Sequence, residues 1–193
     1  MEALLISTAV VALAEIGDKT QLLALLLAAR FRRPRPIIAG IFVATLANHA
    51  IAGSLGAWIA QALSPEAMRW ILGSSFIAMA AWMLVPDKLD AGAATPHAPL
   101  GVFGVTTVAF FLAEMADKTQ IATIALAARF DVLWAVVIGT TLGMMIANVP
   151  VVLFGEAAAR RLPVRAVHAL AALVFATLGV LALLGAGNHW LSH

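Results

Sequence analysis

Apolar residues run through this chain in six stretches. They lie near residues 3–29, 37–61, 67–86, 100–128, 132–157 and 164–186. Each is long enough to cross the ~30 Å hydrocarbon core of a bilayer, which takes roughly 20 helical residues. The interruptions between them read as turns: Arg30-Phe31-Arg32-Arg33-Pro34-Arg35-Pro36, Ser64-Pro65-Glu66 and Arg160-Arg161-Leu162-Pro163. Pro65 suits the first turn of a helix, where its missing N–H is not needed. Residues 86–99 are rich in Gly, Ala and Pro and read as a connecting segment. The pattern predicts an all-α integral membrane protein of six transmembrane helices.

Polar residues break the first and fourth stretches at matching points. The first carries Ala14-Glu15-Ile16-Gly17-Asp18-Lys19-Thr20-Gln21 and the fourth Ala113-Glu114-Met115-Ala116-Asp117-Lys118-Thr119-Gln120. Over residues 14–31, an offset of 99 keeps 11 of 18 positions identical, ending both times in Ala-Ala-Arg-Phe. The chain therefore divides into a three-helix repeat at 1–86, a linker at 87–99 and a second three-helix repeat at 100–193. Three crossings per repeat is an odd number, so the two cassettes enter the membrane from opposite sides. The expected architecture is an inverted-topology repeat, in which sites form near the midplane where the halves meet.

Composition agrees with a membrane location. Of 193 residues, 63% are hydrophobic and 11% charged, with a mean hydropathy of +0.99; a soluble domain carries about 25% charged residues. There is no cysteine, which excludes disulfides and thiolate metal sites. The basic residues fall in short loops beside apolar stretches, which argues against nucleic-acid binding. Eight of them (Arg30, Arg32, Arg33, Arg35, Lys88, Arg160, Arg161 and Arg165) share one side, against Arg69 and Arg129 on the other. The positive-inside rule puts the larger set in the cytoplasm and both termini outside. No basic segment precedes the first stretch, so no cleaved signal peptide is expected.

Ionisable groups at membrane depth point to function. Glu15 lies about 18 Å into its stretch at 1.5 Å per residue. On one continuous helix, Glu15, Asp18 and Lys19 would share a polar stripe, with Thr8 and, in the repeat, Thr107. Three charges there cost roughly 8–10 kcal/mol, against perhaps 4–7 kcal/mol from the apolar residues, so the stripe must face its counterpart or a hydrated cavity. Glu15 to Lys19 is the favourable i,i+4 order. Four carboxylates (Glu15, Asp18, Glu114, Asp117) less two lysines (Lys19, Lys118) leave −2, which one divalent cation or two protons would neutralise. Carboxylate, hydroxyl and amide oxygens suit Mn²⁺, Ca²⁺ and Mg²⁺. Thr20, Thr119, Asn48 and Asn148 are further candidate ligands, and Pro150 is expected to break or kink the fifth stretch. Packing-only salt bridges remain open for the cassettes, as does hydrogen-bond glue for the asparagines. A salt bridge to Arg160 is the simpler reading of Glu156, and His168, His189 and His193 lie near stretch ends or in the tail.

The Glu-x-Gly-Asp-Lys-Thr run at Glu15 to Thr20 resembles the signature of the Gdt family of cation–proton antiporters. The resemblance covers nearly the whole chain. Ala116 stands where the signature has glycine, and alanine there adds a methyl at an expected close contact. The resemblance implies that Glu15, Asp18, Glu114 and Asp117 bind cation and proton and that Lys19, Thr20, Lys118 and Thr119 are signature residues; their charge makes Lys19 and Lys118 the compensating pair. It also implies export of a divalent cation, Mn²⁺ first and Ca²⁺ second, driven by proton influx across a bacterial inner (plasma) membrane. The metal is then substrate, with no cofactor, no enzymatic activity and the bilayer as surroundings; a homo-oligomer is left open. Export of a small organic cation such as a basic amino acid, a membrane-embedded acid/base enzyme, and a passive channel are the alternatives.

Overall fold

The computed structural model describes residues 1–85, 101–155 and 163–185. Among them the regular elements are all helices: α1 (Glu2–Glu15), α2 (Lys19–Phe31), α3 (Pro34–Ala62), α4 (Pro65–Met83), α5 (Gly101–Glu114), α6 (Lys118–Arg129), α7 (Leu133–Phe154) and α8 (Val164–Leu183). The expected linker at 87–99, together with Lys88, Glu156, Arg160, Arg161, His189 and His193, lies outside the described residues.

Three helices, α3, α7 and α8, are individually long and apolar enough to cross a membrane, and α5 is a shorter apolar helix. The first and fourth stretches are not continuous helices. Each is cut inside its cassette, α1 from α2 and α5 from α6, which overturns the single polar stripe drawn on one helix. Pro150 does not break its element: α7 runs through it to Phe154. The interruption expected there falls instead at Gly17 and Ala116, both at positive φ.

The cut helices each run beside one continuous partner from the other repeat. In α7, Gly139 meets Leu4 and Ser7, and Gly143 meets Thr8 and Ala12, so α7 lies parallel to α1. It then passes α2, where Val151 and Val152 share a core with Leu23 and Leu27. In α3, Gly40 meets Phe103 and Thr106, and Asn48 reaches the Phe111 carbonyl of α5. Further on, Gly56 abuts Ile124 and Ala127 of α6. Positions 40, 103 and 106 are 139, 4 and 7 shifted by 99, so the two arrangements repeat residue for residue. Absence of a side chain at Gly40 and Gly139 lets the backbones approach; a methyl at Gly139 would lie 2.6 Å from the Leu4 carbonyl oxygen.

The remaining pair, α4 and α8, packs together and against α6 and α1. Gly73 faces Gly179 and Leu183, while Ile77 faces Gly179, so the two helices cross antiparallel. At their centre Phe76 and Phe175, again 99 apart, stack with ring centroids 6.2 Å apart.

Candidate functional site

The cassette is a helix stop followed by a helix start. Ile16 leaves α1 with extended ψ of 117°, Gly17 turns at φ +83°, and Asp18 sits at the N-cap of α2 with φ −77° and ψ 167°. Glycine just past a helix end and aspartate at an N-cap are the residues such positions favour. The second copy makes the same turn with Ala116 at φ +58°. The glycine of the signature thus serves the backbone angle as well as the close contact inferred for it, which at Gly17 is with Val164. Two amides hold the turns: Gly17 N–H donates to Gln21 Oε1 at 3.0 Å, and Ala116 N–H to Gln120 Oε1 at 2.7 Å. The same glutamines then tie the turns to the long helices, Gln21 Nε2 donating to the Ala147 carbonyl and Gln120 Nε2 to Asn48 Oδ1. Spacing alone gave these glutamines no role; the signal was an acceptor four residues after each turn.

The turns bring the acids together. Glu15 and Glu114 are fully buried, and Asp18 and Asp117 nearly so. Glu15 lies within electrostatic range of Glu114, Asp18 and Asp117. The positive ends of α2 and α6 adjoin the aspartates. The lysines pair across the repeats: Lys19 Nζ is 2.8 Å from Asp117, and Lys118 Nζ is 2.9 Å from Asp18. This replaces the Glu15–Lys19 pair expected along one helix, because the turn between them abolishes the i,i+4 relation. Asp18 and Asp117 therefore each pair directly with a lysine of the other repeat, and Lys19 also lies within electrostatic range of Glu114.

Neutral groups complete the neighbourhood. Asn148 Nδ2 donates to Glu15 Oε1 at 3.2 Å, and Thr119 Oγ1 to Glu114 Oε2 at 2.7 Å. Glu15 Oε2, Glu114 Oε1, Asp117 Oδ2, Asn148 Oδ1 and Thr20 Oγ1 are buried without a hydrogen-bond partner among the described residues. Unsatisfied acceptors of this kind are rare and costly. Thr8 and Thr107 bond the carbonyls of Leu4 and Phe103 in their own helices. Among the described residues, no three acids or histidines gather tightly enough to hold one ion by themselves.

The two copies differ in how they are covered. Val164 of α8 packs over Gly17, and His168 Nε2 donates to the Ile16 carbonyl at 2.7 Å. Met115 and Ala116, the matching residues, are exposed, Met115 by 53%. The Lys118–Asp18 side chains are 1% exposed, whereas Lys19 is 30% exposed. His168 was set aside in the sequence as a residue near a stretch end; only the fold brings it onto the cassette.

A family model described as "Divalent cation/proton antiporter GDT1" matches residues 3–91 and 102–190. A protein of Vibrio cholerae serotype O1 (strain ATCC 39541 / Classical Ogawa 395 / O395) carrying the description "Putative manganese exporter" is 53% identical over 176 residues, covering 91% of this chain and 87% of the relative. No solved structure matches the chain.

Proposed function

Because this chain belongs to the GDT1 family of divalent cation/proton antiporters, we propose that it exports Mn²⁺, with Ca²⁺ second, from the cytoplasm in exchange for protons. The observation that carries this is the buried pair Glu15 and Glu114, each at a helix break and each with one unbonded oxygen. Lys19 and Lys118 balance Asp117 and Asp18, so the glutamates supply the −2 that a divalent cation or two protons can neutralise. A carboxylate holds a proton or a metal ion at one oxygen, never both, and this competition couples the two fluxes. Thr20, Asn148 and Thr119 add neutral oxygens to the set. Asp18 and Asp117 join it when a lysine lets go, which brings the ligand number up as the ion arrives. Asn48 acts at one remove, fixing Gln120 and the Phe111 carbonyl.

Six crossings serve this function, with α1–α2 and α5–α6 each counting as one broken crossing. The halves at 1–86 and 100–193 are inverted copies joined by the linker at 87–99. In support, α3 runs parallel to α5 and α6 while α7 turns back on α6 after residues 130–132. α3 and α7 are then antiparallel, and with them α5 and α1. Half-helices meeting at mid-membrane are a common device for ion sites in transporters. The basic loop at Arg30 to Arg35 faces the cytoplasm of a bacterial inner membrane, and both termini face outward.

Purified protein in Mn²⁺-loaded proteoliposomes tests the reading. An imposed pH gradient is expected to drive Mn²⁺ movement, and Glu15→Gln or Glu114→Gln to abolish it. Flux that ignores the gradient, or survives both substitutions, sinks the proposal.

A further inference from the structure

His49 is fully buried on α3, and neither ring nitrogen has a hydrogen-bond partner among the described residues. Nothing in the transport scheme above uses it. Its place in the repeat is informative. The offset of 99 pairs Asn48 with Ala147, and the contacts agree: Gln120 bonds the Asn48 side chain where Gln21 bonds the Ala147 carbonyl. The counterpart of Asn148 is therefore His49. Asn148 is the residue that reaches Glu15, with 3.2 Å from Nδ2 to Oε1. The helices that carry these residues repeat in detail, since α3 meets α5 at 40 against 103 and 106, and α7 meets α1 at 139 against 4 and 7. His49 thus holds on α3, the helix packed against α5, the repeat position that Asn148 holds on α7, but no hydrogen bond joins it to Glu114 in this conformation. Glu114 Oε1 is one of the buried oxygens without a partner.

We propose that His49 is a nitrogen ligand of the transported ion on the Glu114 side, and that it sets the preference for a first-row transition-metal cation over Ca²⁺. The chemistry follows from the donor. Ca²⁺ is bound by oxygen, whereas affinity of nitrogen-containing sites rises along the first-row series that begins at Mn²⁺. An imidazole in an otherwise all-oxygen set favours Mn²⁺; the amide at Asn148 does not discriminate. Burial without a partner suits a ligand, because a buried polar group left unsatisfied costs stability and an arriving ion removes that cost. The two halves then differ at one repeat position: an amide at Asn148, beside the Met144 thioether, on the Glu15 side, and an imidazole at His49 on the Glu114 side.

This rests on the export reading, and one spectroscopic experiment separates the two. Mn²⁺ is added to the purified full-length protein, and electron spin-echo modulation of the bound ion is recorded. A ¹⁴N modulation is expected, changing to the ¹⁵N pattern when the protein is made with ¹⁵N-histidine. His49→Asn, which copies the other half, is expected to erase it and to lower the Mn²⁺:Ca²⁺ affinity ratio by roughly tenfold or more. Retained Ca²⁺ binding in that variant reports an intact fold, and His49→Gln serves as a second replacement. Bound Mn²⁺ without nitrogen modulation, or modulation and selectivity that persist in both variants, overturns the inference alone. Wild-type protein that binds no Mn²⁺ takes the export reading down with it.

Discussion

At the scale of single residues, the two cassettes use one backbone turn with different side chains. Ala116 holds a left-handed angle that costs a residue with a Cβ roughly 1–2 kcal/mol. Ala116→Gly should therefore stabilise the protein by about 0.5–1 kcal/mol, once the extra freedom of glycine in the unfolded chain is subtracted. Denaturant unfolding in detergent would measure it, and no gain would mean that the angle carries no strain. Gly17→Ala should do the reverse and more, since its methyl also overlaps Val164. The glutamine clasps give a second expectation. Gln21→Leu and Gln120→Leu each strip an acceptor from a turn amide and a donor from a neighbouring helix. Each should cost about 1–3 kcal/mol in the same assay, and a change within a few tenths would dismiss the clasp.

At the scale of elements, what matters is the pair of interruptions. A hydropathy run reports burial and length, and on those grounds the all-helical, apolar character of the chain was legible. It does not report φ, so Gly17-Asp18 passed as part of one helix although Gly followed by Asp is a stop and a start. Ala116-Asp117 hides the same event more completely, having no glycine. The lysine partners were misread for the same reason: the i,i+4 rule holds only along an unbroken helix, and the turn sends each lysine to the opposite repeat. The acids and the lysines were legible as a set; their pairing was not. That pairing can be measured. Lys118→Met leaves Asp18 buried among other acids and should cost about 3–5 kcal/mol, while Lys118→Met with Asp18→Asn should recover most of it. Lys19→Met should cost less, because Lys19 is 30% exposed. A double variant no better than the single one would rule out the direct pair as the source of the loss.

At the scale of the whole molecule, near-symmetry makes the departures from it conspicuous. Phe76 and Phe175 meet as images of each other, and the helix contacts at 40 and 139 repeat, yet among the described residues the turn at Ile16-Gly17 is packed under α8 while Met115-Ala116 is exposed. The chain has no cysteine, so single cysteines report cleanly. Met115→Cys should react severalfold faster than Ile16→Cys with a small membrane-permeant maleimide, read as a time course of labelling. Equal rates would show that the two turns are equally reachable. Such asymmetry was beyond the sequence, because an offset of 99 predicts likeness and is silent about which copy is capped.

The antiparallel crossing of α4 and α8 works like a beam balanced on its midpoint. Its two leading ends point to opposite faces of the protein, and one of them, Val164 with His168, is fastened to a cassette. Pro65 and Arg69, the same positions on the other arm, face a cavity of about 260 Å³ that also touches Glu2 and Asp131. One tip of the crossed pair is thus packed on a cassette turn while the other borders open space.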